Sequence, residues 1–151
     1  MSTAGTRGKW AEAEVKKKLA LYGGFSSFAS LRLPDARAGS RQVTLADFMV
    51  MHKAQHSLLE VKEVSKHEYR LPHQNFDELK VSRMRSWAMA GSVGHVLVCF
   101  MPGARTAIWR YAPIEYFLTR TGGSWDMRSI PTVTLSQAME IMYGPPPTVR
   151  T

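Results

Sequence analysis

The sequence predicts an α/β fold in which a central mixed β-sheet of about four or five strands is flanked by α-helices. Three observations lead there. Segments of helical periodicity stand at the start, middle and end of the chain; two apolar stretches, 44–51 and 57–64, flank a short polar break; and a strongly apolar run, His95-Val96-Leu97-Val98-Cys99-Phe100-Met101, follows the middle helix. At 151 residues the chain is long enough to close one core without disulfides, so a single domain over 1–151 is expected.

The first element is a helix from Thr6 to Tyr22, stopped by Gly23-Gly24. Steps of three and four from Gly8 reach Glu12, Val15, Leu19 and Tyr22, a stripe that is apolar except for one acid. Glu12 is therefore expected to face the interior or a cleft. Glu14 falls among Trp10, Lys17, Lys18 and Leu21, the setting of an ordinary surface acid. Residues 25–42 combine Arg32, Arg37 and Arg41 with Pro34, Gly39 and several serines, which predicts a short strand and then a mobile basic loop.

Thr44 to Met51 and Ser57 to Val64, joined by His52-Lys53-Ala54-Gln55-His56, predict a β-hairpin. Side chains alternate across a strand, so Leu45, Asp47 and Met49 share one face, and Leu58, Glu60, Lys62 and Val64 share a face of the second strand. Each face sets charge among hydrophobes.

After a polar connection with Arg70, Pro72 and His73, Asn75 and Glu78 have capping-pair spacing ahead of a helix from Phe76 to about Ala90. That helix is amphipathic, with Lys80, Arg83 and Arg85 on a basic side. His95 to Met101 is the best candidate for a buried strand, Pro102-Gly103 turns the chain, and Thr106 to Tyr111 is its hairpin partner. Pro113 then starts a short helix through Leu118. Beyond it, residues 119–144 form a helical extension in which a loop at Gly122-Gly123 leads to a last helix. Thr134 and Gln137 have capping-box spacing there, Gly144 ends the helix, and 145–151 are expected to fray.

Twenty Lys and Arg against twelve Asp and Glu leave a net charge of +8, which favours a polyanionic partner, nucleic acid first. No apolar run approaches the ~20 residues that cross a bilayer, and the N-terminus lacks the apolar stretch of a signal peptide. A cytoplasmic protein with no membrane partner is expected. The one cysteine, Cys99, excludes an intrachain disulfide and a Cys-based zinc site and is expected as a small core hydrophobe.

The chemistry concentrates in a helix acid, a strand acid and Glu60-Val61-Lys62. Phosphodiester hydrolysis needs an attacking hydroxide and relief of charge on the phosphoryl and leaving oxygens, which divalent cations held by oxygen ligands supply. Asp47 and Glu60 suit Mg²⁺, with Mn²⁺ as a substitute, because such ions take a few carboxylates and keep waters and phosphate oxygens. Lys62, two residues after Glu60, points the same way and can hold or deprotonate a water or stabilise phosphorane charge. Glu12 can complete the metal shell. Three acids converging without a cation would repel one another, so the arrangement predicts a metal.

These residues carry a resemblance. Asp47 in Ala46-Asp47-Phe48, followed by Glu60-Val61-Lys62, looks like the active-site signature of PD-(D/E)xK nucleases. More specifically, Gly8-Lys9-Trp10-Ala11-Glu12, Asp47-Phe48, Glu60-Val61-Lys62-Glu63, Arg70-Leu71-Pro72 and the strand Val96 to Phe100 follow in the order of RecU-like and Hjc-like Holliday-junction resolvases. The resemblance spans about residues 6–118. It implies a restriction-endonuclease-like core, a metal and catalytic set of Glu12, Asp47, Glu60 and Lys62, and a homodimer making paired nicks in a four-way junction. The long internal insertion of that family has no counterpart here, which bears on junction selectivity more than on catalysis. Phage endonuclease I resolvases use the same chemistry in a shorter chain, and the size here suits a phage origin, with action in the host cytoplasm.

Other readings compete at several positions. Glu60 and Lys62 as a solvated strand face would have polar neighbours, whereas Leu58 and Val64 flank them. Asp35, after Pro34, is an alternative metal acid but suits a turn. Glu63, on the opposite strand face, is structural. The five histidines lack metal-binding spacing, Trp87 and Trp109 suit the core, and Lys16, Lys17, Arg32, Arg37, Arg41, Arg70, His73, Gln74, Lys80 and Arg83 are candidates for DNA contact, mostly to phosphates. At the level of the whole protein, the competing functions are a DNA-binding adaptor without activity and a nuclease acting on flap or duplex DNA.

Overall fold

The computed structural model describes residues 9–23, 27–34 and 44–146. In chain order these form α1 (Lys9–Tyr22), β1 (Phe28–Arg32), β2 (Phe48–His52), β3 (Gln55–Val64), β4 (Arg70–Pro72), α2 (Glu78–Met89), β5 (Val93–Phe100), β6 (Ile108–Pro113), β7 (Ser124–Asp126) and α3 (Leu135–Tyr143). Five strands make the main sheet in the order β1-β2-β3-β5-β6. Only the β3–β5 pairing is parallel, with Glu60 opposite Val96 and Lys62 opposite Val98, and the other three neighbours run antiparallel. The sheet is therefore mixed, as the sequence predicts.

Two layers cover it. Val15 and Leu19 of α1 and Ala138 and Met139 of α3 pack on Leu59, Val61, Leu97 and Cys99. On the other face Val81 and Met84 of α2 pack on Leu58, Val64, Val96, Val98 and Phe100. The alternation along β3 thus sends Leu58, Glu60, Lys62 and Val64 toward α2 and leaves Glu63 for α1.

The hairpin is tighter than its sequence suggests. His52 and His56 lie in the strands, and Lys53 and Ala54 alone turn the chain, at φ 47° and 64°. Left-handed backbone costs a non-glycine residue roughly 1–2 kcal/mol. A two-residue turn of this kind matches the strand twist and adds the His52–Gln55 pair to the ladder, which offsets that cost.

Capping differs at α2. Asn75 belongs to a 3₁₀ turn at His73–Asn75, and Asp77 caps the helix by accepting from the N–H groups of Leu79 (2.8 Å) and Lys80 (3.4 Å). An ionised carboxylate beside the first turn meets both unpaired amides and the positive end of the helix dipole. At α3 the box forms as expected, with Gln137 N–H donating to Thr134 Oγ1 at 3.0 Å and Thr134 N–H to Gln137 Oε1 at 2.8 Å.

Pro113 closes β6, and the helix expected after it is a 3₁₀ turn, Ile114–Phe117. The extension 119–144 is not purely helical, because β7 pairs with β4 in a second sheet, Leu71 opposite Trp125. Arg120 ties this unit down by donating to the carbonyls of Phe76 and His73. Arg37, Arg41, Asp35, the basic loop and residues 147–151 of the tail lie outside the described residues. No described helix is long and apolar enough to cross a membrane.

Candidate active site

Where β2 begins, the backbone ladder gives way to a side chain. Asp47 still donates its N–H to Leu59 O (3.1 Å), but its Oδ2 takes the Val61 N–H at 2.7 Å. A short acid competing for a strand amide in this way ends regular pairing and turns the carboxyl inward. Asp47 consequently sits one residue before the strand, buried, and beside Glu60.

Glu60 is 1 % exposed and points from β3 toward α2. Its Oε2 meets two ammonium groups, Lys62 Nζ at 2.8 Å and Lys80 Nζ at 2.9 Å. Its other oxygen, Oε1, is buried with no hydrogen-bond partner. Lys62 also lies over the Phe76 ring, 4.8 Å from its centroid. Glu12 reaches the site from α1 and pairs at 2.9 Å with Arg32 of β1, whose guanidinium donates to Asp47 O and Leu33 O as well.

Glu12, Asp47, Glu60 and Lys62 line one cleft of ≈ 820 Å³, together with Lys66, His67, Gln74 and Lys80. A larger groove of ≈ 930 Å³ between α1, β6 and α3 holds Glu14 and Glu68, both accessible to water. Charge chemistry favours the smaller cleft, since carboxylates forced together in low dielectric are the groups that do work on a substrate.

The electrostatics follow from that crowding. Burial first, and then the Glu60 charge, push Asp47 up to about 8; Lys80 and the Val61 N–H pull it back only in part. Burial also acts to raise Glu60, but Lys62 and Lys80 together outweigh it and hold it below the usual range. Lys80 is the mirror case, its burial outweighed by Glu60, Asp47 and Glu12, so it stays charged. The crowding of three acids expected from the sequence is present, and three cations of the protein meet it. Arg32 pairs with Glu12, and Lys62 and Lys80 both pair with Glu60, which leaves the repulsion on Asp47 only partly relieved.

Among the described residues no three His, Cys, Asp or Glu side chains form a ready-made metal cluster. The donor set present nonetheless fits a hard divalent ion. The orphaned Glu60 Oε1 and the neighbouring Asp47 carboxyl are two oxygen donors in an open cleft, and Mg²⁺ asks of a protein little more than one or two carboxylates. Glu12, held by Arg32, stands at the rim of this pair.

Lys80 is the residue that its sequence position most misplaces. Expected on an exposed basic face, it is 8 % exposed and inside the site. The signal was the spacing of Lys80 and Met84, a step of four that puts both on the buried side of α2 beside Val81. Arg32 is likewise turned inward. Of the other basic candidates, Lys16, Lys17, Arg70 and Arg83 are exposed, with Lys17 paired to Glu14 at 3.1 Å and Arg70 5.5 Å over Tyr69. Gln74 lines the cleft, whereas His73 packs edge-on to Trp125 at 4.3 Å.

Glu63 is structural, its Oε1 accepting the Ala11 N–H at 3.0 Å at the start of α1. Cys99 is buried, its thiol pushed up to about 12 by burial and then Glu63, which suits a core hydrophobe. Trp109 is core, but Trp87 is 43 % exposed and stacks on His56, so it does not belong to the core.

No protein-family model matches the chain, and no curated protein does either. Among solved structures, the chain is similar to Hjc from Archaeoglobus fulgidus, a Holliday junction resolvase from an archaeal hyperthermophile. The two are 22 % identical over 79 % of this chain and 88 % of that one, with a TM-score of 0.54. The chain shares that fold, a mixed sheet flanked by helices.

Proposed function

We propose that this protein is a metal-dependent, structure-selective endonuclease that resolves branched DNA, with the four-way junction as its substrate and Mg²⁺ as its cofactor. One observation carries the reading: Asp47 and Glu60, thirteen positions apart on a hairpin, meet in one cleft with Lys62 beside them and a buried Glu60 oxygen left without a partner. The fold shared with a junction resolvase supports the reading by analogy.

Asp47 and Glu60 would hold the ion, which supplies Lewis-acid relief of phosphoryl charge when bound. Lys62, at the cleft wall, orients the attacking water and meets charge developing on the phosphate. Glu12 with Arg32 fixes the rim, and the exposed lysines and arginines follow the DNA backbone without reading sequence. A homodimer, acting in the cytoplasm, would present two such clefts to opposed strands.

The pairing of Glu12 with Arg32 and of Glu60 with Lys62 and Lys80 favours one competing reading, a DNA-binding adaptor that needs no metal. A single comparison separates the two. Junction, flap, nicked and plain duplex DNA are incubated with the protein in Mg²⁺; the resolvase reading expects paired nicks in the junction above all, and its loss in Glu60→Gln with junction binding retained. Binding without product in the wild type leaves the adaptor, and preferential cutting of flap or duplex moves the substrate class.

A further inference from the structure

Each buried carboxylate at this site has one oxygen committed to the protein. Asp47 Oδ2 is held by the Val61 N–H at 2.7 Å, and Glu60 Oε2 accepts two ammonium groups at 2.8 and 2.9 Å while Oε1 has no partner. One of those ammonium groups arrives from a helix. Lys80 lies on the buried side of α2 with Val81 and Met84, and the Asp77 cap receives its backbone N–H at 3.4 Å.

We propose that Lys80 stands in for a second divalent cation, so that each chain binds a single ion, and that it positions Glu60 to offer Oε1 to that ion. The inference rests on the metal-dependent reading above and deepens it. In two-ion phosphodiesterase sites the metals lie about 3.5–4 Å apart, and a carboxylate that bridges them end to end gives one oxygen to each. Glu60 has only one to give, because two lysines hold the other.

The place a second ion would need is also taken. The Lys80 ammonium stands 2.9 Å from Glu60 Oε2 in the cleft that Asp47 and Glu12 also line. With Arg32 and Lys62 it pairs Glu12 and Glu60 before any metal arrives. One divalent ion then brings a charge that a bound phosphate diester can meet; a second would face the Lys80 ammonium, with Glu60 Oε2 already held by two lysines.

Mn²⁺ titration without DNA tests this, following the free-ion paramagnetic resonance signal and the heat of binding. Wild type and Lys80→Arg, which keeps the charge, are expected to take up one Mn²⁺ per chain. Lys80→Gln, which vacates the space beside Glu60 Oε2 in the acid-lined cleft, is expected to take up two, with the first bound at least tenfold more tightly. Glu60→Gln should bind none in the same range.

Two ions on the wild type, or a Lys80→Gln protein that keeps one ion at unchanged affinity, overturn the role of Lys80 while leaving the metal site standing. No Glu60-dependent uptake by the wild type overturns the metal reading itself, and this inference with it. Thermal melting of each variant checks the fold, and should Lys80→Gln not fold, the wild-type stoichiometry decides alone.

Discussion

Two residues set opposite dependences of stability on pH, and their windows are separable. Asp47 has its folded value raised to about 8 from 3.8, so the folded state keeps a proton that the unfolded state has lost. Its contribution is therefore present below about pH 4 and lost as pH rises toward 8, with a slope of at most about 1.4 kcal/mol per unit. His95, buried against Tyr111 with Nδ1 2.6 Å from its hydroxyl, is pushed down to about 4 by burial. Its contribution is present above 6.5 and lost as pH falls toward 4. Between 4 and 6.5 the two slopes oppose; above 6.5 Asp47 acts alone. Urea midpoints of the metal-free protein should fall from pH 6.5 to 8, and Asp47→Asn should flatten that limb. An unchanged limb in the variant would show that Asp47 is not buried as described. The positions of Asp47 and Glu60 were legible from alternation with hydrophobes, because a strand has only two faces. The partner Lys80 was not, because its place depends on where α2 docks.

Elements here are held by polar contacts at their ends as much as by their apolar faces. The first turn of α1 has its Ala11 N–H satisfied from another element, by Glu63 on β3. Replacing Glu63 by Ala leaves that amide unpaired and removes a carboxylate from the positive end of the helix, at a cost of about 0.5–2 kcal/mol by analogy with helix caps. Because α1 carries Glu12, the variant should also loosen the rim of the cleft. Chemical denaturation measures the first effect, and a larger loss of cleavage than of junction binding would report the second. On β5, Gly94 lies under the 3₁₀ turn, and an added Cβ would stand 2.6 Å from Ile114 Cγ2. Gly94→Ala must push that turn away from the sheet, so a melting temperature lowered by several degrees is expected, as overpacking costs typically 1–3 kcal/mol. Wild-type melting would mean the turn yields freely. The α3 capping box was readable because its partners are three residues apart. The β4–β7 pair was not, since three-residue strands carry almost no periodicity and their pairing spans more than fifty positions.

For the molecule as a whole, a net charge of +8 makes DNA affinity a matter of phosphate contacts and hence of salt. The logarithm of the binding constant should fall linearly with the logarithm of salt concentration, each phosphate-contacting cation contributing about 0.9 to the slope. Substituting Ala for Lys16, Arg70 or Arg83, all exposed, should lower that slope where the cation touches the backbone. Lys80→Gln should leave it unchanged, because a buried ammonium paired to Glu60 releases no counterion from DNA. Fluorescence anisotropy on a catalytically inactive background distinguishes the two groups, and a slope change at Lys80 equal to that at Arg70 would place it on the DNA-facing surface after all.

Periodicity and spacing alone determined the α/β class, the central buried strand, the inward stripe of α1 and the shared face of Glu60 and Lys62. These are local properties: 3.6 and 2 residues per repeat fix which side chains share a face before any packing occurs. Which cations stand against the acids of the cleft was decided only by the tertiary structure. The docking of α2 brings Lys80 to Glu60 and the pairing of β1 brings Arg32 to Glu12, and Coulomb energy depends on distance through space, to which separation along the chain gives no guide.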